Sequence, residues 1–143
     1  MARQPVLTAQ EVEDFVDEVF AQQKGVFQVA EVGPMRAVIR QKIDDRHLRP
    51  GGTVSGPTMF TIADCAFYIA VLAMIGRQAL TVTTNLNINF LRKPPVADLR
   101  AEARILKLGK LLATGDVSVF SEGVADPVAH ATVTYAIPPA PKP

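Results

Sequence analysis

The chain has 143 residues, enough for one domain with its own core and too few for two. Its 15 Lys and Arg residues nearly balance its 14 Asp and Glu residues, so the formal net charge is only +1. A chain without a strongly basic surface is not expected to bind nucleic acid or an anionic membrane. One cysteine, Cys65, and two histidines argue against an internal disulfide framework and against a structural metal site.

The N-terminal segment predicts an amphipathic helix over about residues 9–24. Thr8 and Glu11 have the spacing of a capping box, and Gly25 ends the segment. The apolar residues after the cap recur at helical spacing on one stripe: Val12, Phe15, Val16, Val19 and Phe20. The first ten residues contain one basic residue and no apolar run, so we expect no secretory or transit signal and a cytoplasmic protein.

Two short β-prone runs precede a polar loop. Residues 26–32 and 35–43 are separated by Gly33-Pro34, a pair that favours a turn, so they predict a β-hairpin. Residues 44–56 are polar and contain three glycines and a proline. This composition predicts a turning loop whose backbone amides are free to face a ligand.

The longest apolar run, residues 58–75, predicts a helix that is enclosed by protein, because apolar residues occur on all of its sides. Gly76 ends it. The run approaches the length of a membrane span, but it contains Asp64 and lacks basic flanks and an aromatic belt. We therefore interpret it as a core helix and predict no membrane association.

Four β-prone stretches follow the helix: residues 80–91, 99–107, 111–120 and 128–137. In the first stretch, alternation predicts a polar face with Thr83, Asn85, Asn87 and Asn89 and an apolar face with Val82, Leu86, Ile88 and Phe90. The elements together predict an α+β fold in which an antiparallel sheet wraps around a central apolar helix. We expect one domain over residues 1–143, with a disordered Pro-rich tail at residues 138–143.

Asp64 is the only residue inside the apolar helix with a side chain that is normally charged at neutral pH. A buried carboxylate must find hydrogen-bond donors or change its pKa, and both conditions recur at catalytic sites. The alternative is that Asp64 lies on a narrow exposed stripe or caps a neighbouring strand. The helix pattern alone leaves both interpretations open.

The turn Ser55-Gly56-Pro57 leads into the same helix. The first amides of a helix point outward with partial positive charge, so this turn can hold a developing oxyanion. The alternative is an ordinary Ser cap with proline in the first turn. Gly56 and Asp64 of one chain lie about 12 Å apart at the rise of an α-helix, too far to serve one carbonyl carbon. If both act, they come from different subunits of a dimer with two shared sites.

Three segments of the chain resemble the hotdog-fold acyl-CoA thioesterases of the PaaI type: His47 to Asp64 (HLRPGGTVSGPTMFTIAD), Asn85 to Pro95 (NLNINFLRKPP) and residues 106–110 (LKLGK). The resemblance extends over about residues 26–137. Its most specific part is the first segment, since the helix Asp of the family stands nine residues after the His of a His-Gly-Gly turn, and Asp64 stands nine after Ser55. The resemblance implies a hotdog fold, hydrolysis of acyl-CoA thioesters without metal or cofactor, and a homodimer or a homotetramer built as a dimer of dimers.

The resemblance also implies roles for individual residues. Gly56 matches the glycine whose amide polarises the thioester carbonyl, Asp64 matches the carboxylate that attacks it or activates water, and Thr83 matches a hydroxyl that orients this water in some members. Basic residues near the CoA phosphates in the family match Arg92, Lys93, Lys107 and Lys110. Each of these cations is equally compatible with an ordinary solvated charge at a strand end.

The chain departs from the family pattern at three positions. Ser55 replaces the His, Pro57 replaces the second Gly, and Arg49 stands where the family has an Asn or Gln that helps to polarise the carbonyl. Pro57 has no amide hydrogen, so one oxyanion donor is lost, a change that costs a few kcal/mol where measured. Arg49 supplies a permanent cation that can assist in its place or bind an anionic group of the substrate, and Ser55 is a further candidate for assistance.

Thioester hydrolysis is the expected function, with Phe60, Phe67 and Tyr68 as candidate walls of the acyl pocket. Two alternatives remain: a non-catalytic module that binds acyl-CoA, and a dehydratase or hydratase on the same fold, which the missing His disfavours. Cys65 is interpreted as an inert buried thiol. His47 and His130 have no partner spacing for zinc or for a catalytic triad, and Ser55 does not lie in the elbow of a serine hydrolase.

Overall fold

The computed structural model describes residues 3–139 of the chain. Residues 140–143, which carry most of the tail predicted to be disordered, lie outside this range. Pro138 and Pro139 are described and have no regular secondary structure.

Six strands form one antiparallel sheet: β1 (Phe27–Gly33), β2 (Arg36–Gln41), β5 (Val82–Phe90), β6 (Leu99–Leu108), β7 (Leu112–Ser121) and β8 (Ala129–Ala136). Their order across the sheet is β1-β2-β6-β7-β8-β5. The predicted hairpin and the four predicted strands after the helix are therefore confirmed. The four strands after the helix do not all pair in chain order, however, because β5 pairs with β8 at the edge of the sheet and not with β6. Only β6, β7 and β8 form a meander.

The long helix α2 (Gly56–Ile75) packs on the inner face of this sheet, mainly against β2, β6 and β7. Twelve of its residues are buried, and its largest fully buried side chain, Phe67, has no exposed surface. α2 is long and apolar enough to cross a membrane, but the core helices of soluble proteins share this length and composition. In this fold, 67% of the most apolar stretch of α2 is buried. The fold is therefore the predicted mixed α+β architecture, with α2 as the centre of its core.

Gly115 in β7 allows helix and sheet to approach closely. A Cβ at this position would lie 2.0 Å from the Arg104 carbonyl oxygen and 2.6 Å from the ring of Phe67. Only a residue without a side chain fits between the neighbouring strand and the helix here.

The N-terminal helix is shorter than predicted. The capping box of Thr8 and Glu11 is present, but α1 is Ala9–Val19, and the chain continues as a 3-10 turn at Ala21–Gln23. Phe20 leaves the helical conformation at φ −121° and ψ 62°, and Gly25 has a positive φ of 75°. The prediction of a helix to about residue 24 is therefore wrong, because the turn keeps the composition of a helix but not its backbone.

The predicted loop over residues 44–56 contains some regular structure. A 3-10 turn at Asp45–His47 is followed by two very short antiparallel strands, β3 (Leu48–Arg49) and β4 (Thr53–Val54). The pair β3-β4 leads the chain directly into α2.

A β-bulge interrupts β5 at Thr84. Thr83 lies opposite Tyr135 of β8, whereas Asn85 lies opposite Thr134, so Thr84 is an extra residue in the ladder. The extra residue turns Thr83 to the inner face of the sheet, toward α2. The predicted alternation, which placed Thr83 with Asn85 on one polar face, is therefore wrong at this position.

Candidate active site

Asp64 projects from the third turn of α2 and is partly buried. Its Oδ1 atom accepts two hydrogen bonds, one from the Thr83 hydroxyl at 2.7 Å and one from the Tyr135 hydroxyl at 2.6 Å. Two charge-assisted hydrogen bonds from hydroxyl groups give this carboxylate a fixed position on the inner face of the sheet.

Tyr135 is held in place by its aromatic neighbours. It is 3% exposed, and its ring centroid lies 5.6 Å from that of Phe67 and 6.0 Å from that of Tyr68, both on α2. Burial, reinforced by the charge of Asp64, raises the pKa of Tyr135 above its ordinary value. The phenol is therefore protonated at neutral pH and acts toward Asp64 as a donor.

A cavity of about 610 Å³ opens beside the carboxylate. Its lining combines polar groups of the site with apolar side chains from both helices and from the segment before β5, among them Val19, Phe20, Phe60, Asp64, Tyr68, Leu80, Val82, Thr83 and Tyr135. Of the three aromatic residues predicted as walls of an acyl pocket, Phe60 and Tyr68 line this cavity. Phe67 does not, because Gly115 lets its ring enter the core between helix and sheet.

Cys65 follows Asp64 and also lines this cavity. Burial, with a contribution from the Asp64 charge, raises the pKa of Cys65 to about 12. At neutral pH nearly all of this group is the protonated thiol, which is a poor nucleophile. The interpretation of Cys65 as an inert thiol agrees with this environment.

The other predicted feature, the start of α2, is built as a capped helix terminus. Ser55 is the N-cap, and its Oγ accepts a hydrogen bond from the Thr58 amide at 3.3 Å and lies 2.8 Å from the Thr58 hydroxyl. Gly56 is the first helical residue. Pro57 follows it, and a residue before proline avoids the helical conformation because its Cβ meets the proline ring, a contact that glycine does not make.

The amide of Gly56 is available to a ligand. No acceptor within residues 3–139 takes this N–H, as expected for the first turn of a helix. A Cβ on Gly56 would lie 3.3 Å from the ring of Phe90, so the end of β5 covers this glycine from one side.

A second cavity, of about 340 Å³, lies at this end of the helix. Gly56 lines it together with three of the predicted basic residues, Arg49 of β3 and Arg92 and Lys93 after β5. Arg92 is fixed by a hydrogen bond to the Pro127 carbonyl. Among the described residues no acidic side chain forms an ion pair with Arg49 or Lys93.

Lys107 and Lys110 are not part of this cluster. Lys107 is near the end of β6, and Lys110 lies in the turn to β7. The register of β7 and β8 places Leu112 beside Ala136, which in turn pairs with Val82 at the start of β5. The two lysines therefore lie at the end of the sheet where β5 begins, and the Gly56 cavity lies where β5 ends.

The two histidines are accounted for by local contacts. His47 Nδ1 accepts a hydrogen bond from the Asp44 amide at 2.9 Å, and His130 Nε2 lies 3.0 Å from Asp116 on the outer face of the sheet. Burial alone would raise the pKa of Asp116, but the hydrogen bonds from His130 and Arg104 outweigh it and the pKa is lowered. Neither histidine contacts Asp64.

Sequence reasoning did not find Tyr135. It lies 71 positions after Asp64 and has no motif around it. The available signal is the alternation of β8, in which Ala129, Ala131, Val133 and Tyr135 are buried. A tyrosine that ends such a buried series needs a partner for its hydroxyl group, and this need points to a polar group inside the fold.

The long central helix is wrapped by an antiparallel sheet and holds one carboxylate, and this arrangement defines a hotdog architecture. A comparison with protein families and a comparison with solved structures both agree with it. Residues 51–128 match the thioesterase superfamily. A candidate thioesterase from Silicibacter is 46% identical with a TM-score of 0.89, and the match covers 97% of each chain. A mutant of the phenylacetic acid degradation protein PaaI from Thermus thermophilus is 26% identical with a TM-score of 0.70, over 82% of this chain and 99% of that one.

Zebra fish thioesterase superfamily member 2, at 21% identity and a TM-score of 0.80, shares the fold over 92% of this chain and 99% of its own. A search of the curated proteins found no match. The chain belongs to the thioesterase superfamily and is PaaI-like. This membership supports thioester hydrolysis as its general chemistry.

Proposed function

We propose that this protein hydrolyses acyl-CoA thioesters to a free acid and CoA in a homo-oligomer whose active sites are shared between two subunits. The observation that carries the proposal is the pair of sites on α2. A fixed carboxylate, Asp64, lines one cavity, and a free helix amide, Gly56, lines another with three cations.

The two sites supply complementary parts of one reaction. The Gly56 amide, in the positive field of the helix terminus, polarises the thioester carbonyl and holds the oxygen as charge develops on it. Asp64 acts as the nucleophile or as the base that activates water. Arg49 adds a permanent positive charge near the oxygen. The Ser55 hydroxyl already caps the helix through its contacts with Thr58, so its role is to hold the helix terminus in place.

The separation along the helix argues for two subunits. Asp64 stands eight positions after Gly56, which corresponds to about 12 Å along the helix, much longer than the distance across a reacting carbonyl group. A substrate held by Gly56 of one chain is thus out of reach of the Asp64 carboxylate of the same chain.

The edge strand β5 offers the surface for assembly. It has one hydrogen-bonded neighbour, β8, and seven of its nine residues are exposed. Antiparallel pairing of two β5 strands about a two-fold axis brings the Phe90 end of one strand to the Val82 end of the other. Gly56, which contacts Phe90, would then approach the partner subunit's Asp64, which contacts Thr83.

The same pairing gathers the basic residues. Arg49, Arg92 and Lys93 at the end of one β5 strand would face the partner subunit's Lys107 and Lys110, at the sheet end where β5 begins. Cations from two chains then surround one opening, where they suit the phosphates of CoA. The acyl group would occupy the apolar cavity beside Asp64, against Phe60 and Tyr68.

A second candidate function is an acyl-CoA binding module without turnover. Three observations favour it: Pro57 has no amide hydrogen to act as the second oxyanion donor, Ser55 is engaged as a helix cap, and Arg49 carries a charge that the family position lacks. Such a module would use the same cavities and cations for binding alone.

One experiment separates the two candidates. Release of free thiol is measured for short, medium, long and aromatic acyl-CoAs with the wild-type protein and the Asp64→Asn variant, beside calorimetric binding of each acyl-CoA. Turnover by the wild type that is lost in the folded variant supports the thioesterase. Binding by both proteins without turnover supports the module and contradicts the proposed hydrolysis.

A further inference from the structure

We infer that Thr83 and Tyr135 are positioning residues that hold Asp64 by Oδ1 alone, so that Oδ2 is the oxygen that reacts. The inference rests on the proposed function and deepens it, since it assigns the chemistry to one atom. Neither hydroxyl needs to touch the substrate to act in this way.

Both hydroxyl protons go to the same oxygen. The Tyr135 oxygen lies 2.6 Å from Oδ1 and 3.0 Å from the Asp64 backbone carbonyl, and its single proton favours the nearer, charged acceptor. The Thr83 oxygen lies 2.7 Å from the same Oδ1. Within the described part of the chain, no donor contacts Oδ2.

This asymmetry decides the reactivity of the two oxygens. Each hydrogen bond withdraws electron density from Oδ1 and must break before that atom can attack or take a proton. Oδ2 keeps its lone pairs and belongs to a side chain that lines the 610 Å³ cavity. The donors therefore fix the carboxylate plane and leave its more nucleophilic oxygen for the substrate.

The fold supplies both donors by specific means. The bulge at Thr84 turns Thr83 inward to stand opposite Tyr135, and bulges of this kind often re-aim side chains beside active sites. Tyr135 is locked between the rings of α2 and the sheet. Side chains held in this way cost little entropy when they hold a third group.

Either route of hydrolysis uses the electron pair of Oδ2. As a base, Oδ2 takes a proton from water while the water oxygen adds to the carbonyl carbon; the C–S bond then breaks and the proton passes to the CoA sulfur. As a nucleophile, Oδ2 adds to the carbonyl carbon, and the C–S bond breaks to release CoA as the thiolate. Water then cleaves the resulting anhydride to the free acid and protonated Asp64, whose proton passes to the CoA thiolate and restores the carboxylate.

The test compares neighbouring threonines with the same substitution. Thr83→Val removes a donor to Oδ1 at nearly constant volume, and Thr84→Val removes the adjacent hydroxyl, which contacts the Thr134 carbonyl instead. We expect Thr83→Val and Tyr135→Phe each to lower kcat about 10- to 100-fold with little change in KM, the loss expected for one hydrogen bond to a charged group. Thr83→Ser, which keeps the donor, should retain most of kcat, and Thr84→Val should equal the wild type.

The results that would overturn this inference differ from the results that would contradict the proposed function. Wild-type kcat in both Thr83→Val and Tyr135→Phe, in a protein whose turnover is lost in Asp64→Asn, would overturn the inference and leave the thioesterase intact. An equal loss of kcat in Thr83→Val and Thr84→Val would also overturn it, because the effect would then follow from strand structure. Absence of wild-type turnover would contradict the proposed function itself.

Discussion

The start and the third turn of α2 differ in the kind of chemistry they offer. At the start, Ser55 and Gly56 form a terminus with a free amide, and the cations Arg49 and Lys93 surround it. In the third turn, Asp64 is a carboxylate enclosed by hydroxyl donors and aromatic rings. One region attracts negative charge and the other supplies an electron pair.

Each of the two regions is incomplete alone. An amide and nearby cations without a base can bind a thioester but cannot cleave it, and a carboxylate without an oxyanion donor lacks the largest electrostatic contribution to acyl transfer. Because about 12 Å of rigid helix separates Gly56 from Asp64, a single chain cannot bring the two together. In the proposed assembly, pairing of two β5 strands would bring Gly56 of one chain close to the partner subunit's Asp64.

Loss of the carboxylate should give the largest effect. Asp64→Asn keeps the shape and an oxygen that can accept from Thr83 and Tyr135 but removes the base or nucleophile. We expect kcat to fall by about 100- to 10,000-fold, measured as thiol release, while the circular dichroism melt stays close to that of the wild type. A kcat within about threefold of the wild type, far short of the usual contribution of a general base, would show that the third turn of α2 does not perform the chemistry.

Charge reversal at the start of the helix should act on binding. Arg49→Glu/Lys93→Glu replaces two attractions for the CoA phosphates by repulsions, and we expect KM to rise about 10- to 30-fold. Because Arg49 is also proposed to stand near the thioester oxygen, kcat should fall as well, by less than in Asp64→Asn. The effect should shrink at high salt, because exposed charges are screened. The control Lys24→Glu/Lys42→Glu makes the same change in net charge outside the Gly56 cavity, and an equal rise in KM there would contradict the assignment.

Adding an amide at the start of α2 should increase turnover. Pro57→Ala gives the second helical residue an N–H that points outward like that of Gly56. We expect kcat to rise by about threefold to tenfold, less than the loss seen when a preorganised oxyanion donor is removed. The melting temperature should fall slightly, since proline stiffens the unfolded chain. A lower melting temperature with unchanged kcat would mean that this amide does not face the substrate.

The smallest expected effect is a change in the reactivity of the Cys65 thiol, whose pKa depends in part on the charge of Asp64. Its pKa of about 12 makes it react slowly with iodoacetamide at about pH 8, because few molecules carry the thiolate. Removal of the Asp64 charge lowers the pKa of Cys65, so Asp64→Asn should be labelled a few times faster. Equal labelling rates by mass spectrometry would indicate that no negative charge stands beside the thiol.

Much of this arrangement was predictable because it depends on local pattern. The apolar run around Asp64 and the cap at Ser55 determine α2, and the alternation of the strands determines the sheet. The position of Thr83 was not predictable, because the bulge at Thr84 results from pairing with a strand 50 residues later in the sequence. Tyr135 was missed for the same reason: its contact with Asp64 is made by the fold and leaves no local signal.

The end of α1 marks another limit of local pattern. Phe20 continues the apolar stripe of the helix in sequence, but in the structure it turns away and lines the cavity beside Asp64. Hydrophobic periodicity indicates which residues lie on a common apolar face, but it does not indicate where the helical backbone ends. The difference matters, because it gives the N-terminal segment a place in the candidate site.

The most direct test of the shared site is complementation between two defective subunits. Asp64→Asn and Arg49→Glu/Lys93→Glu chains are co-expressed with different tags, and the doubly tagged heterodimer is purified and assayed at low acyl-CoA concentration. If one site takes Gly56 and Arg49 from one chain and Asp64 from the other, one of the two sites is intact, and kcat/KM should return to about half of the wild-type value. Activity no higher than the mean of the two parent homodimers would contradict the shared site.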